Sequence, residues 1–513
     1  NTVTVVVNVT GVDGPGDQLR GNATDNTIYG TPQGDVFMVN QAGTETLYGL
    51  GGDDGFFFGS FLDATDSVNG SLGANDQIGL QGNYAGVTLD GGKIVEVEAL
   101  VLLAGNDTRF GDTANNFYDY VLSLTGAWGA LTTFNANSLR PGEDFTVNAS
   151  ATSAGAFAFF GGFGTETLTG GGQSDGFYFG EGRFGASDKV TGGGGADDQL
   201  ALRGDYSITF GATQVAGIET IALISANDPR YQSPAGDGEF DYSLTLHDAM
   251  AGTGETLTIT GNGLGALESM TVNGATEASA KLRMIGGAGA DSFTGGAGDD
   301  EFFGGLGADQ MVGNLGADKF IYTDVAQSVV GSRDTIGLFN SSDKIDLSAI
   351  DANSLVDGNQ DFRWIGSSAF SGGGTGAGEL RYTNLGSNNY AIQADVDGNG
   401  TVDFKILLSN AVGYTPTDSS FIGLEAAAPA AVMAAMPATA ELEPVRQLYS
   451  REVYGSEGDS GQIALATFGD MSGHGALAAT GANLGFGSDW NEADAGHAYI
   501  SGFIEARMDM LIA

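Results

Sequence analysis

A nine-residue repeat, read four times without interruption over residues 286–321, constrains this chain more than any other feature. The copies are Gly-Gly-Ala-Gly-Ala-Asp-Ser-Phe-Thr, Gly-Gly-Ala-Gly-Asp-Asp-Glu-Phe-Phe, Gly-Gly-Leu-Gly-Ala-Asp-Gln-Met-Val and Gly-Asn-Leu-Gly-Ala-Asp-Lys-Phe-Ile. Each follows G-G-x-G-x-D-x-U-x, with U a large apolar residue and Asn314 replacing the second Gly in the fourth copy. The six residues up to the Asp predict a turn, since Gly tolerates the positive φ that tight turns use. The last three predict a short strand with Phe293, Phe302, Met311 and Phe320 pointing inward. Such a period marks a parallel β-helix in which two nines make one coil. Equivalent residues of successive coils then stack about 4.8 Å apart. Asp291 is expected over Asp309, and Asp300 over Asp318.

Stacked carboxylates repel unless something neutralises them. At about 5 Å and an effective dielectric near 20, one such pair costs about 3 kcal/mol. A hard cation that takes several oxygen ligands removes the repulsion, and Ca2+ suits carboxylates combined with turn carbonyls. The expected ligands are Asp291, Asp300, Asp309 and Asp318, with the turn glycines Gly287, Gly289, Gly296, Gly298, Gly305 and Gly307. In these residues the chain resembles the RTX (repeats-in-toxin) family, whose β-roll binds calcium. A flexible Gly/Asp linker leaves the apolar residue at every ninth position unexplained. Each nine buries one large side chain, worth roughly 1.5–3 kcal/mol. Ordering nine residues costs roughly 1–2 kcal/mol each. The expectation is a segment disordered at cytoplasmic calcium and folded at extracellular calcium.

The chain has 513 residues, of which 86 are Gly; 64 Asp+Glu against 19 Lys+Arg give a formal charge of −45. That balance argues against nucleic-acid binding, which needs a basic face, and against electrostatic docking to anionic lipid. With no cysteine, disulfides are excluded as staples, and bound calcium can take that role. No apolar run is long enough for a transmembrane helix, and no signal peptide is visible. The start at Asn1, directly in strand-like Thr2–Val7, is expected of a fragment or a processed form.

Taken in order, 1–20 is an N-terminal strand segment and 21–82 a degenerate roll. Its acidic turns fall at Glu45, Asp54, Asp66 and Asp76, after Asn26 and Asp35. The predicted stacking is Asn26 with Glu45, Asp35 with Asp54, Glu45 with Asp66, and Asp54 with Asp76. Asp35, Asp54, Asp66 and Asp76 are candidate calcium ligands, at fewer or weaker sites. Residues 83–160 lose the period and read as a β-rich module. The pattern then recurs: Gly43-Thr44-Glu45-Thr46-Leu47 as Gly164-Thr165-Glu166-Thr167-Leu168, and Asn106-Asp107 as Asn227-Asp228. This gives a second roll at 161–204 and a second β-rich module at 205–285. Asp175, Asp188 and Asp198 are its candidate ligands, with Glu166 beside Asp188 and Asp175 beside Asp198. The third roll is 286–321.

Beyond it lie Arg333-Asp334-Thr335-Ile336, Asp343-Lys344-Ile345-Asp346-Leu347 and Asp395-Val396-Asp397-Gly398-Asn399-Gly400-Thr401-Val402-Asp403-Phe404. With these, 286–424 resembles the C-terminal domain of serralysin-type secreted metalloproteases. The resemblance implies a β domain at 322–424 that caps the roll and assists export; Asp334 is a further candidate ligand. Asp395, Asp397, Asn399 and Asp403 match EF-hand loop positions, but Ile406 stands where a bidentate Glu is required. Strand-like flanks predict a β-hairpin with an Asx-rich turn, leaving a calcium site and a self-satisfied turn both open. Residues 425–443 form an Ala/Pro linker. Residues 444–513 form a small, partly helical region, with Asn491 as a helix cap. Its end, Asp509-Met510-Leu511-Ile512-Ala513, resembles the C-terminal signal of type I ABC export; an amphipathic terminal helix is the alternative.

The fold class expected is all-β: calcium-binding parallel β-rolls alternating with β-rich modules. Protease chemistry does not follow. The three histidines, His247, His474 and His497, lie in no H-E-x-x-H. Gly458-Asp459-Ser460-Gly461 lacks the G-x-S-x-G context. The function expected is a secreted calcium-binding structural or adhesive protein of the bacterial surface, such as a surface-layer, filament or biofilm component. The alternative is the non-catalytic C-terminal part of a larger extracellular hydrolase or toxin. A third reading is glycan binding through exposed aromatics such as Trp128. Expected partners are calcium ions, the type I secretion apparatus, and a second copy or a surface glycan.

Overall fold

The structure, a computed structural model, describes residues 5–8, 18–21, 25–230, 238–374 and 376–425. The linker and terminal region at 426–513 lie outside the described residues, with His474, His497, the Gly458–Gly461 loop and the export-like end.

The chain is nearly all β, and its strands are stacked by coil. Apolar residues in the short strands of the third roll alternate with half-exposed ones, so that Phe293, Phe302, Met311 and Phe320 are buried as expected. Ser292–Thr294 pairs in parallel with Gln310–Val312, and Glu301–Phe303 with Lys319–Ile321. Parallel strands joined in this way need a crossover, and here the rest of the coil supplies it. The inward aromatics stack along the axis, with ring centroids 4.6 Å apart for Phe37/Phe56 and 5.1 Å for Phe302/Phe320.

One face of the roll is a continuous parallel ladder. It starts at Gln18–Arg20 and Val36–Met38 and passes through Gly55–Gly59, Gln77–Leu80 and Ala99–Leu102. It goes on through the second roll to Lys281–Ile285, Glu301–Phe303, Lys319–Ile321, Lys344–Asp346 and Phe421–Ile422. The opposite face is broken into three successive ladders, one per roll.

The β-rich stretches differ from the expectation of separate modules between rolls. Tyr120–Asn135 pairs in parallel with Tyr84–Asp90 through its first half and with Ala99–Leu102 through its second. Phe145–Phe160 lies on Tyr120–Asn135 along its length and carries both ladders on to Glu166–Thr169 and Gly176–Phe179. Residues 83–160 are thus wider coils of the same roll. In 205–285, Tyr206–Thr209, Tyr242–Thr245 and Met270–Asn273 do the same. Apolar alternation records how deep a strand is buried, not which strand it pairs with, so the period was lost where the coil widened. Register slips between Ser123 and Leu131 mark the corner where one long strand changes face. Gly126 and Gly155 take positive φ there.

The roll ends in a three-stranded antiparallel sheet, Glu379–Gly386, Asn389–Asp395 and Phe404–Ser409. Its last strand pairs in parallel with Thr335–Gly337. Among the described residues, helix is confined to three short 3-10 turns, and no helix is long and apolar enough to cross a membrane.

Candidate metal centres

Each acidic turn of the repeat places its carboxylate inside the coil. Asp54, Asp76, Asp300, Asp309 and Asp334 are all buried. One oxygen of each accepts the backbone N–H of the residue one coil earlier. The bonds are Asp35 N to Asp54 Oδ1 at 2.8 Å, Asp54 N to Asp76 Oδ1 at 2.6 Å, and Asp175 N to Asp198 Oδ1 at 2.6 Å. Asp291 N to Asp309 Oδ1 is 2.8 Å and Asp300 N to Asp318 Oδ1 is 3.0 Å. The side rows match: Glu45 N donates to Asp66 Oδ1 and Glu166 N to Asp188 Oδ1, both at 2.8 Å, and Asn26 Nδ2 donates to Glu45. Every stacking pair expected from the spacing is therefore in contact. The interaction, however, is a carboxylate staple on the neighbouring backbone rather than two facing carboxylates.

The rows run on through Asp334, which sequence reasoning assigned, and to Glu98, Glu219 and Asp343, which it did not. Asp76 N donates to Glu98, Asp198 N to Glu219, Asp309 N to Asp334 and Asp318 N to Asp343. Asp343-Lys344-Ile345 carries the same acid-x-apolar order as Asp318-Lys319-Phe320 and was legible on that ground. Glu98-Ala99-Leu100 and Glu219-Thr220-Ile221 carry the same order, with Glu in place of Asp.

The second oxygen decides whether these residues fit a cation. Asp291 Oδ2 and Asp300 Oδ2 accept N–H groups of their own turns, from Gly287 at 2.9 Å and Gly296 at 2.7 Å. Oδ2 of Asp54, Asp76, Asp309 and Asp318 is buried with no hydrogen-bond partner. An orphaned buried carboxylate oxygen is costly. Its cost shows in the titration: burial first, then the Asp334 carboxylate, raises Asp309 to about 8. Burial raises Asp54 to about 8 and Asp76 to about 7, with neighbouring carboxylates adding to it. Asp318 and Asp334 are raised to about 7, and Asp291 and Asp300 to about 6, burial leading in each.

The turns around these oxygens have no room for a side chain. A Cβ at Gly304 would overlap Asp309 Oδ2, and one at Gly313 would overlap Asp318 Oδ2. A Cβ at Gly305, Gly307 or Gly316 would overlap the carbonyl oxygen of Gly287, Gly289 or Gly298, one coil earlier. Carbonyls thus line up turn over turn beside the carboxylate row. Within this roll positive φ occurs only in the later turns, at Gly305, Gly307, Asn314 and Gly316. Gly287, Gly289, Gly296 and Gly298 are instead required by close approach, which corrects the conformational reason expected for them. Orphaned carboxylate oxygens beside backbone carbonyls form an all-oxygen donor set of the kind Ca2+ takes. When bound, the cation supplies positive charge to oxygens that otherwise need a proton.

Among the described residues, three acidic side chains converge in one place only: Asp395, Asp397 and Asp403. The hairpin expected there is present, and its turn satisfies itself. Asp395 accepts from Gly398 N and Gly400 N at 2.7 Å each, and Asp403 Oδ2 from Val396 N at 2.8 Å. Asn399 donates both N and Nδ2 to Asp397. The turn is thus hydrogen-bonded within itself, and its three carboxylates also lie close enough together to hold a cation.

One further expectation changes. Trp128 is only 6% exposed; it packs against Phe134 and Phe157 and donates Nε1–H to Thr125 O. It offers no sugar platform. His247 accepts from Ala249 N through Nδ1 and caps a 3-10 turn.

The fold and its rows define the class: a parallel β-roll whose coils are stapled by buried carboxylates. Residues 240–422 match the family described as Peptidase M10 serralysin C terminal, the RTX β-roll region of secreted proteins that generally bind calcium. The match begins upstream of residue 286, within coils whose sequence shows no nine-residue period. No curated protein matches the chain.

Proposed function

We propose that the chain is a secreted, calcium-folded structural or adhesive protein of the bacterial cell surface, exported by a type I ABC apparatus. The observation that carries this is the continuity of the roll. One ladder runs from Gln18–Arg20 to Phe421–Ile422, so the coils form a single extended scaffold. Acidic rows recur in all three rolls, and this favours calcium as the trigger along the whole length. The candidate ligands are Asp35, Asp54, Asp66, Asp76, Asp175, Asp188, Asp198, Asp291, Asp300, Asp309, Asp318 and Asp334, with carbonyls of the turn glycines. The match to a non-catalytic protease region favours a second reading, the C-terminal part of a larger extracellular hydrolase.

Imaging the purified protein with and without millimolar calcium tests the first reading: sheets or filaments are expected with calcium only. Monomers under both conditions, or a catalytic domain upstream in the reading frame, would overturn it. Limited proteolysis supplies the folding arm. Residues 286–321 should resist protease in calcium and be cut in excess chelator.

A further inference from the structure

The outer surface of the third roll's continuous face carries a row of cations on this acidic protein. Strand pairing places Arg283 beside Glu301, Glu301 beside Lys319, and Lys319 beside Lys344, on four successive coils. Lys281 joins from the adjacent position, with Nζ 2.7 Å from Glu301 Oε1. Arg283 and Lys319 sit looser, at 3.8 and 4.0 Å from the same carboxylate. Lys344 Nζ is held by Ser419 O at 2.7 Å. Three of the four cations thus share one carboxylate, and the Lys281, Arg283 and Lys319 side chains stay 37–40% exposed. The neighbouring outward row is mostly apolar: Ile285 beside Phe303, and Ile321 beside Asp346 and then Ile422. Arg283 lies over the Phe303 ring at 5.1 Å.

A chain with 19 basic residues and a net charge of −45 has little reason to spend four cations on one stripe for solubility. The stripe repeats at the coil spacing. An anionic surface with the same spacing exists on this chain. Asp119 and Asp144 are exposed one coil apart, since the strands that follow them pair Tyr120 with Phe145. Asp205 and Asp241 are likewise exposed one coil apart. In each pair the earlier Asp accepts the N–H of the later through Oδ1, at 3.0 and 2.8 Å, which fixes both rows rigidly to the backbone.

We infer that the basic stripe of Lys281, Arg283, Lys319 and Lys344 docks against the acidic edge of a second copy of this chain. The two surfaces differ, so the contact is head-to-tail. Every copy offers both surfaces, and such contacts propagate into open chains unless rotation closes a ring. The inference rests on the assembly reading above and names its surface.

The test is sedimentation velocity of the full chain in millimolar calcium, with circular dichroism to confirm folding. Wild type is expected to form oligomers that shrink at high salt, where surface charges are screened. Lys319→Glu with Lys344→Glu should reduce assembly at least tenfold, as should Asp119→Lys with Asp144→Lys. Mixing the two folded variants should restore hetero-oligomers. Wild-type oligomers unaffected by either charge reversal would sink this contact and leave the assembly reading standing. A wild type that stays monomeric in calcium would remove both. If the Lys319/Lys344 variant misfolds, Lys319→Gln with Lys344→Gln replaces it and should weaken assembly in the same direction.

Discussion

Replacing Asp309 by Asn should move stability in opposite directions with and without calcium. Asp309 Oδ1 staples Asp291 N, while Oδ2 is buried and orphaned. Asn keeps the Oδ1 acceptor and removes the charge. In chelator at pH 7.5, the wild-type group must take up a proton on folding: it titrates at about 8 when folded and near 3.9 when unfolded. About 3.5 pH units at roughly 1.4 kcal/mol each sets a ceiling of about 5 kcal/mol on that cost. With relaxation of the turn, Asp309→Asn should stabilise the metal-free roll by about 2–4 kcal/mol. With calcium, the variant lacks a charged ligand. Its calcium midpoint should rise by about tenfold, equivalent to about 1.4 kcal/mol. Far-ultraviolet circular dichroism across a calcium titration reads the second effect; the first is read as the fraction folded in chelator, with an osmolyte added to bring the wild-type roll into its folding transition. If Asp309→Asn destabilises the roll equally under both conditions, Asp309 is a backbone staple alone and the metal assignment fails.

Three other outcomes follow from the same geometry. The acids are raised in the folded state, so metal-free stability should be fully present below about pH 4. It should be lost as pH rises through about 6 to 8, where Asp291, Asp300, Asp318 and Asp309 titrate. The fraction folded in chelator at pH 5 and pH 8, by circular dichroism, checks the sign, and saturating calcium should flatten the slope. Gly289→Ala should cost about 1–3 kcal/mol or more, because its Cβ would overlap the backbone oxygen of Glu268; thermal melts in calcium measure it. Glu268→Ala should cost about 3–5 kcal/mol by stranding Ala226 N, Phe240 N, Ser225 Oγ and Gly265 N. That loss should persist at saturating calcium, whereas a lost metal ligand is offset by more metal.

The spacing of the acids carried most of the site. Asp35 over Asp54, Glu166 beside Asp188 and Asp291 over Asp309 could be read directly, at 19, 22 and 18 residues apart, because an acid-x-apolar triplet marks each coil even where the turn lengthens. What lay between the rolls was less legible. Tyr120–Asn135 alternates like any half-buried strand, and nothing in that pattern says that its two halves belong to two faces. Direction was hidden too: a carboxylate next in the row can face its neighbour or bond its neighbour's backbone, and only coordinates separate these. Trp128 was expected to be exposed, whereas the register slip at that corner turns it inward. Glu143-Asp144-Phe145 and Glu268-Ser269-Met270 recur at the module spacing. Glu143 and Glu268 both prove to be buried acceptors, a signal the repeat itself contained.

The acidic row through the third roll has a definite stop. Asp291 N bonds Asp309, Asp309 N bonds Asp334, and Asp334 N then bonds Ser328 Oγ at 2.8 Å. A hydroxyl from the same turn closes a series that until then took one acid per coil. The roll is therefore built like a polymer with an end group. Each unit asks only for an acceptor from the unit after it, and one neutral terminator releases the last from that demand. Coils can be gained or lost by internal duplication without inventing a residue type, provided the terminator stays. Length becomes a property that copying errors can tune while the chemistry of every joint stays the same.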